Sequence, residues 1–349
     1  MSMEEKSMKE AVMVEPKKIE FTDVPVPEIN EDQVLVQVKS IGVCGSDIHV
    51  YHGLHPSTSY PVVQGHEVSC VIERLGGKVH GFKLGEKVTI EPQVSCGKCY
   101  ACTHRLPNIC NELKVLGFQT QGVASDYFVT TPDKLVKLPE DMSFPEGALI
   151  ESISVGVRAT QKGGELRDKK VLVFGAGPIG NLTAQVAKGL GASKVMIVDI
   201  NDFRLSIAAK CNIDYTVNPS KENMTEQLNR KFGADGADLI IECVGITGTM
   251  DMAVELSRKG TDIIVVGVFG EKAPIDMGLV QEKELRIIGI ARYVIEDFTT
   301  AIELVQKGKV TLTPLLTHEF DFYDYQKAYE HIDTHKDETM KVIIQVNEP

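Results

Sequence analysis

Apolar runs and polar breaks divide the chain into two textures. From about residue 8 to 145, short segments such as Val34-Leu-Val-Gln-Val and Lys87-Val-Thr-Ile are broken by Gly and Pro, a pattern that predicts an all-β, barrel-like unit. From Lys170, continuous apolar runs alternate with helical stretches: Val171-Leu-Val-Phe, Val195-Met-Ile-Val, Leu239-Ile-Ile, Ile263-Ile-Val-Val and Leu285-Arg-Ile-Ile. Strands apolar at successive positions are buried on both faces, so these runs predict a parallel sheet with helices on each side, the doubly wound α/β arrangement. That texture ends near Arg292. A helix at about 297–308 and two strands, Thr317-His-Glu-Phe-Asp-Phe and Lys341-Val-Ile-Ile-Gln-Val, then look like a return to the first unit. We therefore expect a split catalytic domain, residues 1–153 and 293–349, enclosing a nucleotide-binding domain at 154–292.

Composition narrows the class. A length of 349 residues suits two domains, and 43% hydrophobic with 25% charged residues excludes disordered and collagen-like chains. A net charge of -12 argues against nucleic acid or an anionic membrane as partner and favours a small molecule. The stretch Met1–Glu10 lacks the apolar core of a signal peptide, and no run approaches the roughly 18 apolar residues of a membrane span. A cytoplasmic protein without membrane contact is expected.

Two sets of residues carry chemistry. Four of the eight cysteines crowd into one short stretch: Cys96, Cys99 and Cys102 at CxxCxxC spacing, closed by Cys110. Four thiolates that can wrap a tetrahedral ion and leave no open position describe a structural zinc. Directly after Val171-Leu-Val-Phe comes Gly175-Ala-Gly177-Pro178-Ile179-Gly180, then a helical stretch from Pro178 to Leu190 and a second strand ending in Asp199. The first Gly makes a tight turn, the second admits a pyrophosphate and the third lets helix pack on strand, with the phosphate at the helix N-terminus. Asp199, about 20 residues further on, is placed to accept from the adenosine ribose hydroxyls and to repel a 2′-phosphate. NAD is thus expected ahead of NADP. Arg204 either softens that preference or is a solvated helix-face residue. A more scattered set joins Cys44-Gly-Ser46-Asp-Ile-His49, Gly65-His66-Glu67 and Glu151. One thiolate, one imidazole and a carboxylate would leave a zinc with an open position. Each piece alone is also what a core cysteine or a chance His-Glu pair would look like.

Gly65-His-Glu with Gly76 and Val79, the four-cysteine lobe and Gly175–Gly180 together resemble the zinc-containing medium-chain dehydrogenase/reductase family, over about residues 8–346. Within it the chain looks most like the sorbitol and other polyol dehydrogenases, through Gly42-Val-Cys-Gly-Ser-Asp-Ile-His, Gly147-Ala-Leu-Ile-Glu-Ser, Ala291-Arg-Tyr293, and Gly308-Lys-Val with Leu315-Leu-Thr-His318. The resemblance implies a split GroES-like β-barrel catalytic domain plus a Rossmann domain, with one catalytic and one structural Zn2+ per chain. It implies Cys44 and His66 as ligands, and Glu67 and Glu151 as carboxylates binding the ion directly or through its water. Ser46 and His49 would relay a proton through the cofactor ribose, while Tyr51, Arg292 and Tyr293 would face the substrate.

The implied reaction is reversible oxidation of a secondary hydroxyl of a polyol or sugar alcohol with hydride transfer to NAD. Sugar-acid, L-threonine and 2,3-butanediol dehydrogenation stand as alternatives, because Arg292 also suits a carboxylate. A nucleotide-sensing or structural relative is the non-enzyme alternative. A homo-oligomer, tetramer or dimer, is implied too, with Ile263–Phe269 as the apolar strand near a sheet edge that joins two copies.

Overall fold

In a computed structural model of the chain, residues 7–347 are described. They form two compact units: the first runs to Glu151 and resumes at Leu316, and the second is Ser152–Leu315.

The first unit is built on the strand Val34–Gly42, apolar and buried along most of its length. It pairs antiparallel with Glu67–Leu75 on one side, and with Tyr127–Thr130 and the C-terminal strand Lys341–Gln345 on the other. Leu316–Asp321 then adds parallel to Lys341–Gln345, so the last stretch of chain does return to the first unit's sheet as its pattern predicts. Lys87–Ile90 and Leu135–Lys137 extend the main sheet, and among the described residues two smaller sheets stand beside it, one of Lys18–Pro25, Ser7–Glu15 and Val62–Val63 and one of Gln93–Val94 with Lys114–Val115. The core between these elements includes Val36, Val38, Ile41, Val68 and Ile72 from the two central strands. It also takes in Tyr325 and Tyr329 from a helix, Tyr325–Thr334, that the hydrophobic pattern does not announce.

The second unit holds a parallel sheet whose strands lie, by first residue, in the order Tyr215, Lys194, Lys170, Leu239, Asp262, Arg286. That is the doubly wound order, with its switch point between Lys170–Phe174 and Leu239–Glu242. The continuous apolar runs do what was expected of them. Val171, Val173, Val195, Ile197, Leu239 and Ile241 pack on one face, and Leu172, Phe174, Met196, Val198 and Ile240 on the other, all buried. Tyr215–Val217 forms one edge of the sheet and Arg286–Gly289 the other, and the apolar stretch beginning at Ile263 lies one strand in from the latter.

The domain boundary falls later than residue 293. The helix Ile295–Gln306 packs against the helix Pro178–Gly189, and Thr311 exchanges two hydrogen bonds with Gln185, its N–H donating to Oε1 (2.7 Å) and its carbonyl accepting from Nε2 (3.1 Å). Residues 293–315 therefore belong with the nucleotide unit. Among the described residues no helix is long and apolar enough to cross a membrane.

Candidate metal and cofactor sites

The four-cysteine lobe is assembled locally. A turn with Gly97 at φ 71° leads into the short helix Tyr100–Thr103, and a single 3-10 turn, Pro107–Ile109, brings Cys110 back onto it. The four sulfurs lie within 4.8 Å of one another, with Cys99 Sγ 3.5 Å from Cys102 Sγ and 3.9 Å from Cys110 Sγ. Four sulfurs about 2.3 Å from one tetrahedral ion stand roughly 3.8 Å apart, so a cage of this size suits zinc. Backbone N–H groups already serve the thiolates: Cys96 and Glu112 donate to Cys110 Sγ at 3.2 and 3.3 Å. Those of Asn111 and Cys102 hold the Cys99 thiol down at about 6. Stripping the ion with a strong chelator is expected to raise the rate of protease cleavage within residues 95–112 by about tenfold or more, because so little apolar packing holds this loop. Unchanged cleavage would remove the structural role.

The mixed-ligand site depends on pairing across the barrel sheet. Cys44 is the N-cap of the short helix Gly45–Tyr51, directly after the strand Val34–Gly42. Gly42 stands opposite Glu67 in the register of the two central strands, which carries Cys44 to His66 and Glu67. A side chain at Gly42 would collide with the Glu67 carboxylate, so the missing Cβ makes room for it. Ligand atoms of Cys44, His66 and Glu67 lie within 4.8 Å of one another. One sulfur, one imidazole and one carboxylate is a donor set that suits zinc and leaves a coordination position open. Glu151 is buried in the first turn of the helix Ile150–Lys162 and lies outside this three-residue group. Ser46 donates its hydroxyl to Cys44 Sγ at 3.1 Å, and His49, further along the same helix, is exposed to solvent.

Two residues that sequence reasoning left without a role complete the site. Asp47 is fully buried: its Oδ2 accepts the Cys44 backbone N–H at 2.9 Å, and its Oδ1 lies 3.3 Å from His66 Nδ1. A carboxylate at one ring nitrogen turns the other toward a metal. Burial pushes the His66 imidazole down, but the facing Asp47 carboxylate and Cys44 sulfur outweigh it and hold its pKa well above the ordinary value. The signal for Asp47 was present, since an acid three residues after an N-cap is half of a capping box. Lys341 is 3% exposed and places Nζ 2.8 and 2.7 Å from the two oxygens of Glu67, itself 0% exposed. Burial lowers the Lys341 pKa, and the facing Glu67 carboxylate and Cys44 sulfur carry it above the ordinary lysine value. No local signal marks this pair, because the partners are 274 positions apart.

The residues expected to face the substrate are each placed within their own unit. Tyr51 is buried in the first unit's core, its ring 5.2 Å from that of Tyr329. Tyr293 is buried in the second unit with its ring edge-on to Phe298 at 5.2 Å, while neighbouring Arg292 is exposed at φ 55°. In each case burial of aromatic area places the tyrosine against its own unit's interior. His52 is half-buried and bonded to Asp333 at 2.7 Å.

In the second unit Gly175 takes φ 93°, and Gly177 is the N-cap of the helix Pro178–Gly189, whose first-turn N–H groups receive no side-chain cap. A Cβ at Gly180 would collide with the Gly175 carbonyl, whereas one at Gly177 would meet open space. The helix N-terminus is therefore open to an anion, as a pyrophosphate requires. Asp199 Oδ2 accepts the Ala176 N–H at 2.7 Å and Oδ1 that of Asn201 at 2.9 Å, which fixes the carboxylate beside the glycine turn. Arg204 lies in the first turn of the next helix, where its N–H donates to the capping Asn201 side chain at 3.1 Å.

Comparison with known proteins agrees with this geometry. Residues 30–140 match the alcohol dehydrogenase GroES-like domain, and residues 178–307 match the zinc-binding dehydrogenase domain. The chain is 33% identical to the D-xylulose reductase of Saccharomyces cerevisiae over 98% of this chain and 99% of that one. It is 35% identical to sorbitol dehydrogenase 1 of the same organism over 92% and 93%. A solved structure from Escherichia coli CFT073, described as a short chain alcohol dehydrogenase complexed with NADH, superposes with a TM-score of 0.90 at 31% identity, covering 97% of this chain and 99% of that one. The chain belongs to the zinc-containing medium-chain alcohol dehydrogenase/reductase family, is polyol dehydrogenase-like within it, and is an NAD(P)-dependent oxidoreductase.

Proposed function

We propose that this chain reversibly oxidises a secondary hydroxyl of a polyol or sugar alcohol to the ketone, with hydride transfer to NAD. The observation that carries the reading is the convergence of Cys44, His66 and Glu67 into one group with a coordination position to spare. Cys44 and His66 would hold the catalytic ion, with Glu67 and Glu151 as carboxylates reaching it directly or through water. A zinc ion held there would supply Lewis-acid polarisation of the substrate hydroxyl, and NAD would supply the hydride acceptor.

The chain's own groups manage position and protons. Asp47 fixes the aim of His66, and Lys341 supplies the counter-charge for Glu67. Ser46, bonded to Cys44 Sγ, and exposed His49 would be the two ends of a proton path completed by the ribose of a bound cofactor. Asp199 supports NAD over NADP because its charge, held beside the Ala176 N–H, would repel a 2′-phosphate. Gly175, Gly177, Pro178, Ile179 and Gly180 would receive the pyrophosphate, and Arg204 the edge of the adenosine site. Tyr51, Arg292 and Tyr293 would face the substrate.

A carboxylate-bearing substrate, a sugar acid or L-threonine, is the second reading, and the exposed charge of Arg292 favours it. The test is initial rates of NAD reduction on sorbitol, xylitol, arabitol, galactitol, 2,3-butanediol, L-threonine and sugar acids, with a chelator-treated control. Chelator-sensitive kcat/KM at least about tenfold higher on polyols than on the acids is expected, equivalent to 1.4 kcal/mol of discrimination. The reverse ranking would select the second reading.

A further inference from the structure

Glu242 ends the strand Leu239–Glu242, in register with Phe174 on one side and Val265 on the other, and is 0% exposed. Its Oε1 accepts the Val244 and Gly245 N–H groups at 2.8 and 2.9 Å and the Thr249 hydroxyl at 2.8 Å. Its main-chain carbonyl accepts the N–H groups of Val266 and Gly267 at 2.8 and 3.0 Å. One residue thus ties down the loops that follow two neighbouring strands. The loops meet backbone to backbone: a Cβ at Gly245 would meet the Val268 carbonyl at 2.5 Å, and one at Gly267 would meet Glu242 Oε2 at 2.6 Å. The first loop also touches the glycine turn, since a Cβ at Gly175 would meet the Val244 side chain at 2.8 Å. Among the described residues Glu242 Oε2, fully buried, has no hydrogen-bond partner, and none of the second unit's ion pairs includes the carboxylate.

A buried carboxylate without a counter-ion costs stability, and a cation that arrives with a ligand offsets that cost. The topology says which part of the cofactor would lie above it. The glycine turn follows Lys170–Phe174, and Asp199 follows the neighbouring strand Lys194–Val198. With the pyrophosphate on the turn and the adenosine ribose at Asp199, the nicotinamide half would extend across the switch point, over Leu239–Glu242 and Asp262–Val265. Val244, Ile246 and Val268 stand exposed on the loops there, an apolar wall suited to a flat ring. The oxidised nicotinamide ring carries a positive charge that the reduced ring lacks. We propose that Glu242 is a positioning residue of the cofactor site that sets its preference for the oxidised form, tying the two loops together and placing an uncompensated negative charge beneath the cationic ring. The inference rests on the reading that Gly175–Gly180 receives the pyrophosphate. An interior charge is little screened, so it acts on the ring without touching it.

The experiment measures two dissociation constants on the full, zinc-loaded chain: that of NADH by its fluorescence, and that of NAD+ by displacement of NADH. Glu242→Gln keeps an oxygen for the three donors and removes the charge. It should weaken NAD+ about five- to tenfold and leave NADH within about twofold of the parent. A role in loop structure alone would weaken both forms together, so an unchanged ratio of the two constants, whatever their size, would overturn the proposal. Glu242→Asp keeps the charge and should hold the parent ratio within about twofold. A ratio that falls there as well would overturn the proposal too, and this variant decides the matter if Glu242→Gln does not fold. Gly177→Asp tests the underlying reading separately. Aspartate is a good N-cap, so the helix should stay formed, but its carboxylate would stand where the pyrophosphate lies and should weaken NADH by about 100-fold or more. Parent-like NADH binding in that variant would overturn the placement of the pyrophosphate, and with it the proposal, whatever the Glu242 variants show.

Discussion

Cys44→Ser is expected to lower turnover by about 1,000-fold or more while leaving NAD binding within about twofold of the parent chain. Serine offers a neutral oxygen where a soft anionic sulfur stood, so one of the three converging ligand groups is lost, together with the acceptor of the Ser46 hydroxyl. Lewis-acid stabilisation contributes several kcal/mol to such a barrier, and each 1.36 kcal/mol is tenfold in rate. The glycine turn and Asp199, by contrast, lie wholly in the second unit, where Asp199 is fixed by the Ala176 N–H. Metal analysis should fall from two ions per chain to one, the four-cysteine ion being retained. NADH binding is read by the cofactor's own fluorescence. A variant with parent-like turnover would sink the catalytic assignment of Cys44.

Lys341→Met is expected to cost about 3–5 kcal/mol of stability, because it strands the Glu67 carboxylate in the interior without its counter-charge. At roughly 2–4 °C per kcal/mol for domains of this size, the melting temperature should drop by about 6–20 °C. Adding Glu67→Gln should recover more than half of the loss, since removing both charges of a buried pair is far milder than removing one. The sign of the pH dependence follows from the lysine. Its pKa is raised on folding, so the stability it contributes is fully present below the ordinary lysine value of about 10.4 and is lost only as pH rises through the higher folded value. The lysine itself stays charged between pH 6 and 9. Any pH dependence of the Lys341→Met deficit in calorimetric scans at equal zinc should therefore come from the stranded Glu67 taking up a proton, the deficit shrinking as pH falls, and a deficit that grows as pH falls would contradict the pairing.

What could be read from the sequence was whatever the chain does locally. The nucleotide unit announces itself because its central strands are buried on both faces and so are apolar at every position, as in Val171–Phe174 and Val195–Val198. Its edge strand Tyr215–Val217, three residues long and partly polar, carries no such run and goes unseen. The four-cysteine lobe is legible because all its ligands fall within one loop. The mixed-ligand site is legible only in pieces. Cys44 and His66-Glu67 are visible as motifs, but their meeting depends on the register that sets Gly42 opposite Glu67. Lys341 reads simply as the first residue of an apolar strand. The later boundary has the same origin: the apolar strands stop near Arg292, yet Gln185 and Thr311 tie the following stretch to the nucleotide unit by contacts that no pattern along the chain displays.

The Lys341–Glu67 pair also sets an order of events during synthesis. Glu67 leaves the ribosome early, as does the strand Val34–Gly42 that positions it, but its lysine is made 274 residues later, after the whole second unit. At about 5–20 residues per second the carboxylate waits on the order of 15–50 seconds for its counter-charge. The nucleotide unit, contiguous in the chain, has every partner it needs before then. The nascent protein thus completes its cofactor-binding unit while the interior of the other still waits for the strand that brings Lys341.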